Sequence, residues 1–209
     1  MLIGIDIDGI ILDFERTMRS FAELYDLLIL RKGGVVRDNE FDYLKRYDWT
    51  DEERKYFIDK FLVYATINAT PLIPLVKEML EIFEKEGYSF VFITARGTIK
   101  KETRDAVIEV FRRNGLSTDN IIWGVKDKVS KCMELGVSLM IEDNPKTVWE
   151  LVSNKIKTLY FRDKDNEIIE NEYLKEVSNV GEIVRYLIEN NGYKNDSSTY
   201  LKILIKENK

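Results

Sequence analysis

Residues 1–13 read MLIGIDIDGIILD, and the fold turns on how that stretch is taken. Leu2 to Ile7 is short, rich in Leu and Ile, and stops at acidic residues and Gly9, the pattern of a strand buried on both faces of a parallel sheet. The pattern recurs. Tyr88 to Ile93 is a second such run and ends in TARG (94–97), Asn120 to Trp123 marks a third, Ser138 to Ile141 a fourth ending in EDNP (142–145), and Ile156 to Phe161 a fifth. Helical stripes lie between them: Val76, Met79, Leu80 and Phe83 before Gly87; Val107, Val110 and Phe111 before Gly115; Val129, Cys132 and Met133 before Gly136; and Val148, Leu151 and Val152. A last helix carries Ile183, Val184, Leu187 and Ile188.

This alternation predicts an α/β fold with right-handed crossovers, a mostly parallel Rossmann-like sheet with helices on both faces. One stretch breaks it. From Phe14 the residues Met18, Phe21, Tyr25 and Leu28 recur at helical spacing, RKGGVVRDNE (31–40) interrupts them, and Thr50 with Glu53 forms a capping box ahead of the stripe Phe57, Phe61, Ala65. The chain therefore divides into an α/β core (1–13 and 71–190), a small α-helical insertion after the first strand (14–70) and a polar C-terminal tail (191–209) with an apolar patch from Tyr200 to Ile205. RDKDNEIIEN (162–171) reads as a charged turn or hairpin.

Composition narrows the chemistry. Of the 209 residues, 44% are hydrophobic and 33% charged, which suits a globule with a charged surface; the net charge of -5 argues against a protein that coats nucleic-acid polymers. There is no histidine and only Cys132, which removes Ser-His-Asp and Cys-His catalysis, histidine-ligated metals, a zinc thiolate cluster and an intrachain disulfide. Carboxylates, lysine or a hard cation must act instead. No run approaches the ~18 apolar residues of a membrane span and no signal segment opens the chain, so the expected location is the cytoplasm, with no membrane partner.

In an open parallel sheet ligands bind at the carboxyl ends of the strands. There the chain places Asp6 and Asp8, then Thr94, Ala95 and Arg96, then Lys126 and Lys128, then Glu142 and Asp143. Four carboxylates on one rim call for a cation, and oxygen ligands without His or Cys indicate magnesium over zinc. Phosphate cleavage needs a nucleophile, an acid, a cation and donors for the phosphoryl oxygens, and each has a candidate. In order and content, DIDGI, ITARG, a lysine ahead of a helix and IEDNP resemble the haloacid dehalogenase superfamily of aspartate-nucleophile phosphatases, over the core from Met1 to about Val152. Carried over, the resemblance makes Asp6 the nucleophile and Asp8 the general acid and base. It makes Thr94, the backbone N–H of Ala95 and Lys128 the phosphate-binding groups, with Lys126 as the alternative lysine. Mg2+ is expected on Asp6, the backbone carbonyl of Asp8, and Asp143, with Glu142 as an auxiliary ligand through water.

Within that superfamily, DIDG followed by an apolar pair and Asp13, with TARG and EDNP, looks most like the 5′(3′)-deoxyribonucleotidase group and its uncharacterised bacterial relatives. The insertion then corresponds to a cap that closes over the site. The resemblance implies a small phosphorylated metabolite as substrate, a nucleoside monophosphate, with Phe14, Tyr43, Tyr47 and Trp49 offering an aromatic wall for its base. The alternatives are a phosphatase for a sugar phosphate and a non-catalytic ligand-binding member of the fold. A receiver-like signalling domain also groups acids, Thr and Lys, but has no long helical insertion after its first strand. Arg96 is either a phosphate contact or a structural ion pair.

Overall fold

The computed structural model describes residues 1–97, 101–162 and 167–205. Its six parallel strands are β1 (Leu2–Ile5), β2 (Ser89–Ile93), β3 (Ile121–Ile122), β4 (Leu139–Glu142), β5 (Thr158–Phe161) and β6 (Leu174–Val177), in the order β3-β2-β1-β4-β5-β6. The chain fills one side of β1 and then the other, so the strand order reverses between β1 and β4. That reversal opens a crevice at the carboxyl ends of these two strands. Their register sets Gly4 beside Met140 and Ile5 beside Ile141, and the Asp6 N–H donates to the Ile141 carbonyl at 3.0 Å.

Side chains of β1 alternate between two apolar layers. Ile3, Ile5 and Ile7 are wholly buried in the larger one, while Gly4 faces Met140, Val137 and Ile93 in the smaller. A Cβ on Gly4 would lie 2.7 Å from the Met140 sulfur, so a side chain there would have to push that flexible thioether aside. The helices α3 (Val76–Lys85), α4 (Lys101–Arg113), α5 (Lys128–Leu135), α6 (Pro145–Ser153) and α7 (Val180–Asn191) cover the sheet.

Between β1 and β2 the described chain forms α1 (Phe14–Leu24), a π-helical segment (Tyr25–Leu30) and α2 (Asp51–Asn68), which packs against α4. The Thr50–Glu53 capping box is present in full. Leu28 departs from its expected place: the wider π turn rotates it off the α1 stripe, and it is 61% exposed.

β6 was not foreseen. It pairs parallel to β5, with Leu159 beside Lys175, and its alternation LKEV is masked in sequence by the charges around it. Of the expected charged turn, residues 163–166 lie outside the described residues, and 167–171 carry no strand. The patch from Tyr200 belongs to a helix, α8 (Ser197–Leu204), tied to the end of α3 through Glu86. That buried carboxylate accepts from the Lys194 N–H at 3.1 Å, Asn195 Nδ2 at 2.8 Å and the Tyr200 hydroxyl at 2.5 Å. Among the described residues no helix is long and apolar enough to cross a membrane.

Candidate active site

The loop after β1 folds back on itself, with Leu12 N–H donating to the Ile7 carbonyl and Gly9 N–H to the Leu12 carbonyl. Gly9 takes φ +78, and a Cβ there would fall 1.8 Å from Asp143 Oδ2. Both the backbone angle and the close approach require glycine. This brings the first loop against the end of β4, where Asp6, Glu142 and Asp143 place carboxylate oxygens within 4.8 Å of one another.

Such a cluster is unfavourable when dry. Burial pushes the Asp6 carboxyl up to about 7, with Glu142 and Asp8 adding to the shift and Lys128 opposing it; burial and the charge of Glu142 raise Asp143 well above the usual carboxylate range. The built-in counter-charge is Lys128, the first residue of α5, whose ammonium lies 2.8 Å from Asp6 Oδ1 and 2.7 Å from Glu142 Oε2. Burial alone would lower its pKa, but these two carboxylates outweigh that effect and hold it charged. One ammonium does not balance three carboxylates. An all-oxygen donor set with no sulfur or imidazole fits a hard divalent cation. Glu142 is occupied on its inner side, since its Oε1 also accepts from the Asn144 N–H at 3.1 Å. Asn144 caps α6, its Oδ1 accepting from the Lys146 N–H at 3.0 Å and the Thr147 N–H at 3.3 Å.

Thr94 is buried at the end of β2, and its Oγ1 accepts from the Arg96 N–H at 3.1 Å. Thr94 also lines the crevice. Asp8 is met by Arg96, whose Nε and Nη2 donate to its two oxygens at 2.7 and 2.8 Å. Lys126, exposed beside Lys128, also reaches the crevice.

Above these groups lies a cavity of about 390 Å³, within the range of small-ligand sites. Asp6, Asp8, Thr94, Ala95, Lys128 and Asp143 line its floor, and Phe14, Phe41, Tyr43, Ile58 and Leu62 of the insertion line its other side. Two of the expected wall residues are elsewhere. Tyr47 and Trp49 are 1% and 3% exposed and stack on each other at 4.6 Å inside the insertion. Their polar atoms are spent there, on Glu23 and Asp26. Phe41 takes the place that the sequence suggested for them; nothing in its surroundings, a loop without periodicity, signalled it. Glu15 was also missed. It reads as an ordinary first-turn acid, yet it lines the cavity with Oε2 unpartnered, and burial and the charge of Asp8 push its carboxyl up to about 8.

No family model matches the chain. A protein of Chlorobaculum tepidum that carries the inferred name 5′(3′)-deoxyribonucleotidase is 26% identical over 181 residues, covering 81% of this chain and 83% of that one. Among solved structures, a HAD family hydrolase of Deinococcus radiodurans R1, with bound phosphate and sodium, superposes with a TM-score of 0.61 at 13% identity, covering 93% of this chain and 98% of the other. A predicted phosphoglycolate phosphatase of Haemophilus somnus 129PT superposes with a TM-score of 0.58 at 17% identity, covering 89% and 97%. The chain thus has the α/β fold of the haloacid dehalogenase-like hydrolases, and in sequence it resembles the 5′(3′)-deoxyribonucleotidase group.

Proposed function

We propose that this protein is a magnesium-dependent phosphomonoester hydrolase that works through an aspartyl-phosphate on Asp6 and acts on nucleoside 5′-monophosphates, deoxyribonucleotides among them. One observation carries the reading: a nucleophile candidate, an acid candidate, a hydroxyl donor and a buried ammonium from three separate chain segments converge on the floor of one cavity. Buried charge of that density is costly to keep for stability alone.

In this reading Asp6 attacks phosphorus, the bond from phosphorus to the ester oxygen breaks, and Asp8 gives its proton to the departing oxygen. Water then attacks the phosphoryl group and passes a proton to Asp8, and the bond to Asp6 breaks to release inorganic phosphate. Lys128, the Thr94 hydroxyl and the Ala95 N–H hold the phosphoryl oxygens as charge shifts among them. A magnesium ion held by Asp6, Asp143 and the carbonyl of Asp8 would draw further charge from those oxygens. The insertion, acting as a cap, keeps bulk water from the intermediate.

The base is expected between Phe41, Phe14 and Tyr43, the aromatic side of the cavity, and the resemblance to the deoxyribonucleotidase group supports this choice over sugar phosphates. The test is phosphate release from a panel of nucleoside 5′-monophosphates and sugar phosphates, with magnesium and with excess chelator. Metal-independent rates would overturn the mechanism. A tenfold or greater preference for sugar phosphates would overturn the substrate class and leave the mechanism standing.

A further inference from the structure

Arg96 is buried, and three of its donors are committed. Nε and Nη2 fork onto the two oxygens of Asp8, and Nη1 donates at 3.0 Å to Oγ1 of Thr66, near the end of α2. Its guanidinium lies 4.2 Å from the ring centroid of Phe14, the first residue of α1. Thr66 is itself fully buried and donates to the Leu62 carbonyl at 2.8 Å, so the acceptor that Arg96 meets is fixed to α2.

One side chain from the β2 loop thus touches Asp8 and both helices of the insertion. The planar fork fixes the carboxyl of Asp8 in position and in plane, which a lysine could not do. The contacts with Thr66 and Phe14 fix the fork in turn. We infer that Arg96 is a positioning residue, through which the seating of the helical insertion sets the orientation of Asp8 for proton transfer to the leaving group.

The inference rests on the phosphatase reading and makes a demand that a merely structural ion pair, or a direct phosphate contact, would not. If Arg96 serves the proton transfer, its loss must hurt esters whose oxygen needs a proton more than esters whose oxygen leaves without one. The experiment measures kcat/KM, with magnesium present, on 4-nitrophenyl phosphate and on whichever alkyl phosphate ester the wild type cleaves fastest. Arg96→Lys should lower the alkyl value by roughly 30-fold or more, within the range of general acid catalysis, and the aryl value by less than about fivefold. Thr66→Val removes the anchor and leaves the fork in place, so the ratio of the two values should move in the same direction by about threefold.

Equal losses on both esters would overturn the inference and make Arg96 a phosphate-binding group or a prop of the fold. Should Arg96→Lys fail to fold, the ratio in Thr66→Val decides, and an unchanged ratio overturns it. A wild type inactive on both esters would remove the phosphatase reading and this inference together. An active wild type with uniform losses in the variants would remove this inference alone.

Discussion

The rim of the sheet and the helical insertion solve opposite problems. On the rim Asp6, Lys128, Glu142 and Asp143 are all buried, and backbone register holds them together: the β1–β4 ladder, the glycine at position 9 and the first turn of α5 leave each side chain little choice of place. In the insertion the Asp26 carboxyl is buried and accepts from Trp49 Nε1 at 2.6 Å and the Gly34 N–H at 2.8 Å, beside ring packing around Tyr25, Phe57 and Phe61. Its π segment leaves Leu27, Leu28 and Ile29 about 60% exposed. Backbone register leaves these charges little freedom of position, whereas ring packing tolerates exchange of one large residue for another. Chemistry is therefore expected to reside in the rim and selectivity in the insertion.

The comparison breaks most easily at the rim. Asp6→Asn should lower turnover on the order of 10⁴-fold or more and leave no hydroxylamine-sensitive phosphate on the protein after rapid acid quenching, because the amide is a poor nucleophile. Recovery of an acyl-phosphate on another residue would sink the assignment. Asp8→Asn should cost roughly 10²-fold, the scale of lost proton transfer, and should still allow Asp6 to be phosphorylated by an activated aryl ester.

The same contrast explains what could be read from sequence. The strand ends were legible because a buried parallel strand is an unbroken apolar run, and the polar residue that terminates it occupies the rim by topology alone. Thr94 and Asp143 needed no side-chain knowledge to be placed there, whereas Lys128 stands six residues past β3 and only the structure separates it, buried between Asp6 and Glu142, from the exposed Lys126. Phe41 and Glu15 were not legible, since a loop residue and a first-turn acid reach the cavity only through the tertiary packing of the insertion. Tyr47 and Trp49 were misplaced for a related reason: composition marks aromatic residues as large and apolar and does not say which cavity they fill. β6 was hidden by Lys175 and Glu176, which fit the edge strand of a sheet better than its middle.

A second way to sharpen the contrast uses protons and cations. Asp6 is raised from 3.8 to about 7 and Glu15 from 4.5 to about 8, so the metal-free folded state binds protons that the unfolded chain releases near pH 4. The stability due to those protons is fully present below about pH 4 and is lost as pH rises through 7 to 8. Metal-free protein should therefore melt at progressively lower temperature across that window. Magnesium competes with the proton for Asp6, so its stabilising effect should grow with pH. At 100 times its Kd it contributes about 2.7 kcal/mol, a rise in Tm of roughly 5–10 °C for a chain of this length. Calorimetry at pH 5 and pH 8 checks this, and an equal metal effect at both values would show that the cation binds away from the carboxylate cluster.

The smallest effect is expected within the insertion, where two sets of rings should behave differently. Phe41 faces the cavity, while Trp49 is 3% exposed and hydrogen-bonded to Asp26. Stacking of a base on an aromatic ring is worth about 1–3 kcal/mol, so Phe41→Ala should reduce kcat/KM for a nucleoside 5′-monophosphate by roughly tenfold and change hydrolysis of a generic aryl phosphate little. Trp49→Phe keeps a ring of similar shape and strips a donor from the buried Asp26, a cost of about 1–3 kcal/mol in stability. It should lower Tm and leave the ratio of nucleotide to aryl phosphate activity where it was. The two variants therefore separate a ring that meets substrate from a ring that holds the insertion together. A shift of the substrate ratio by Trp49→Phe with none by Phe41→Ala would place the base on the far side of the insertion and reverse the roles assigned to its aromatic residues.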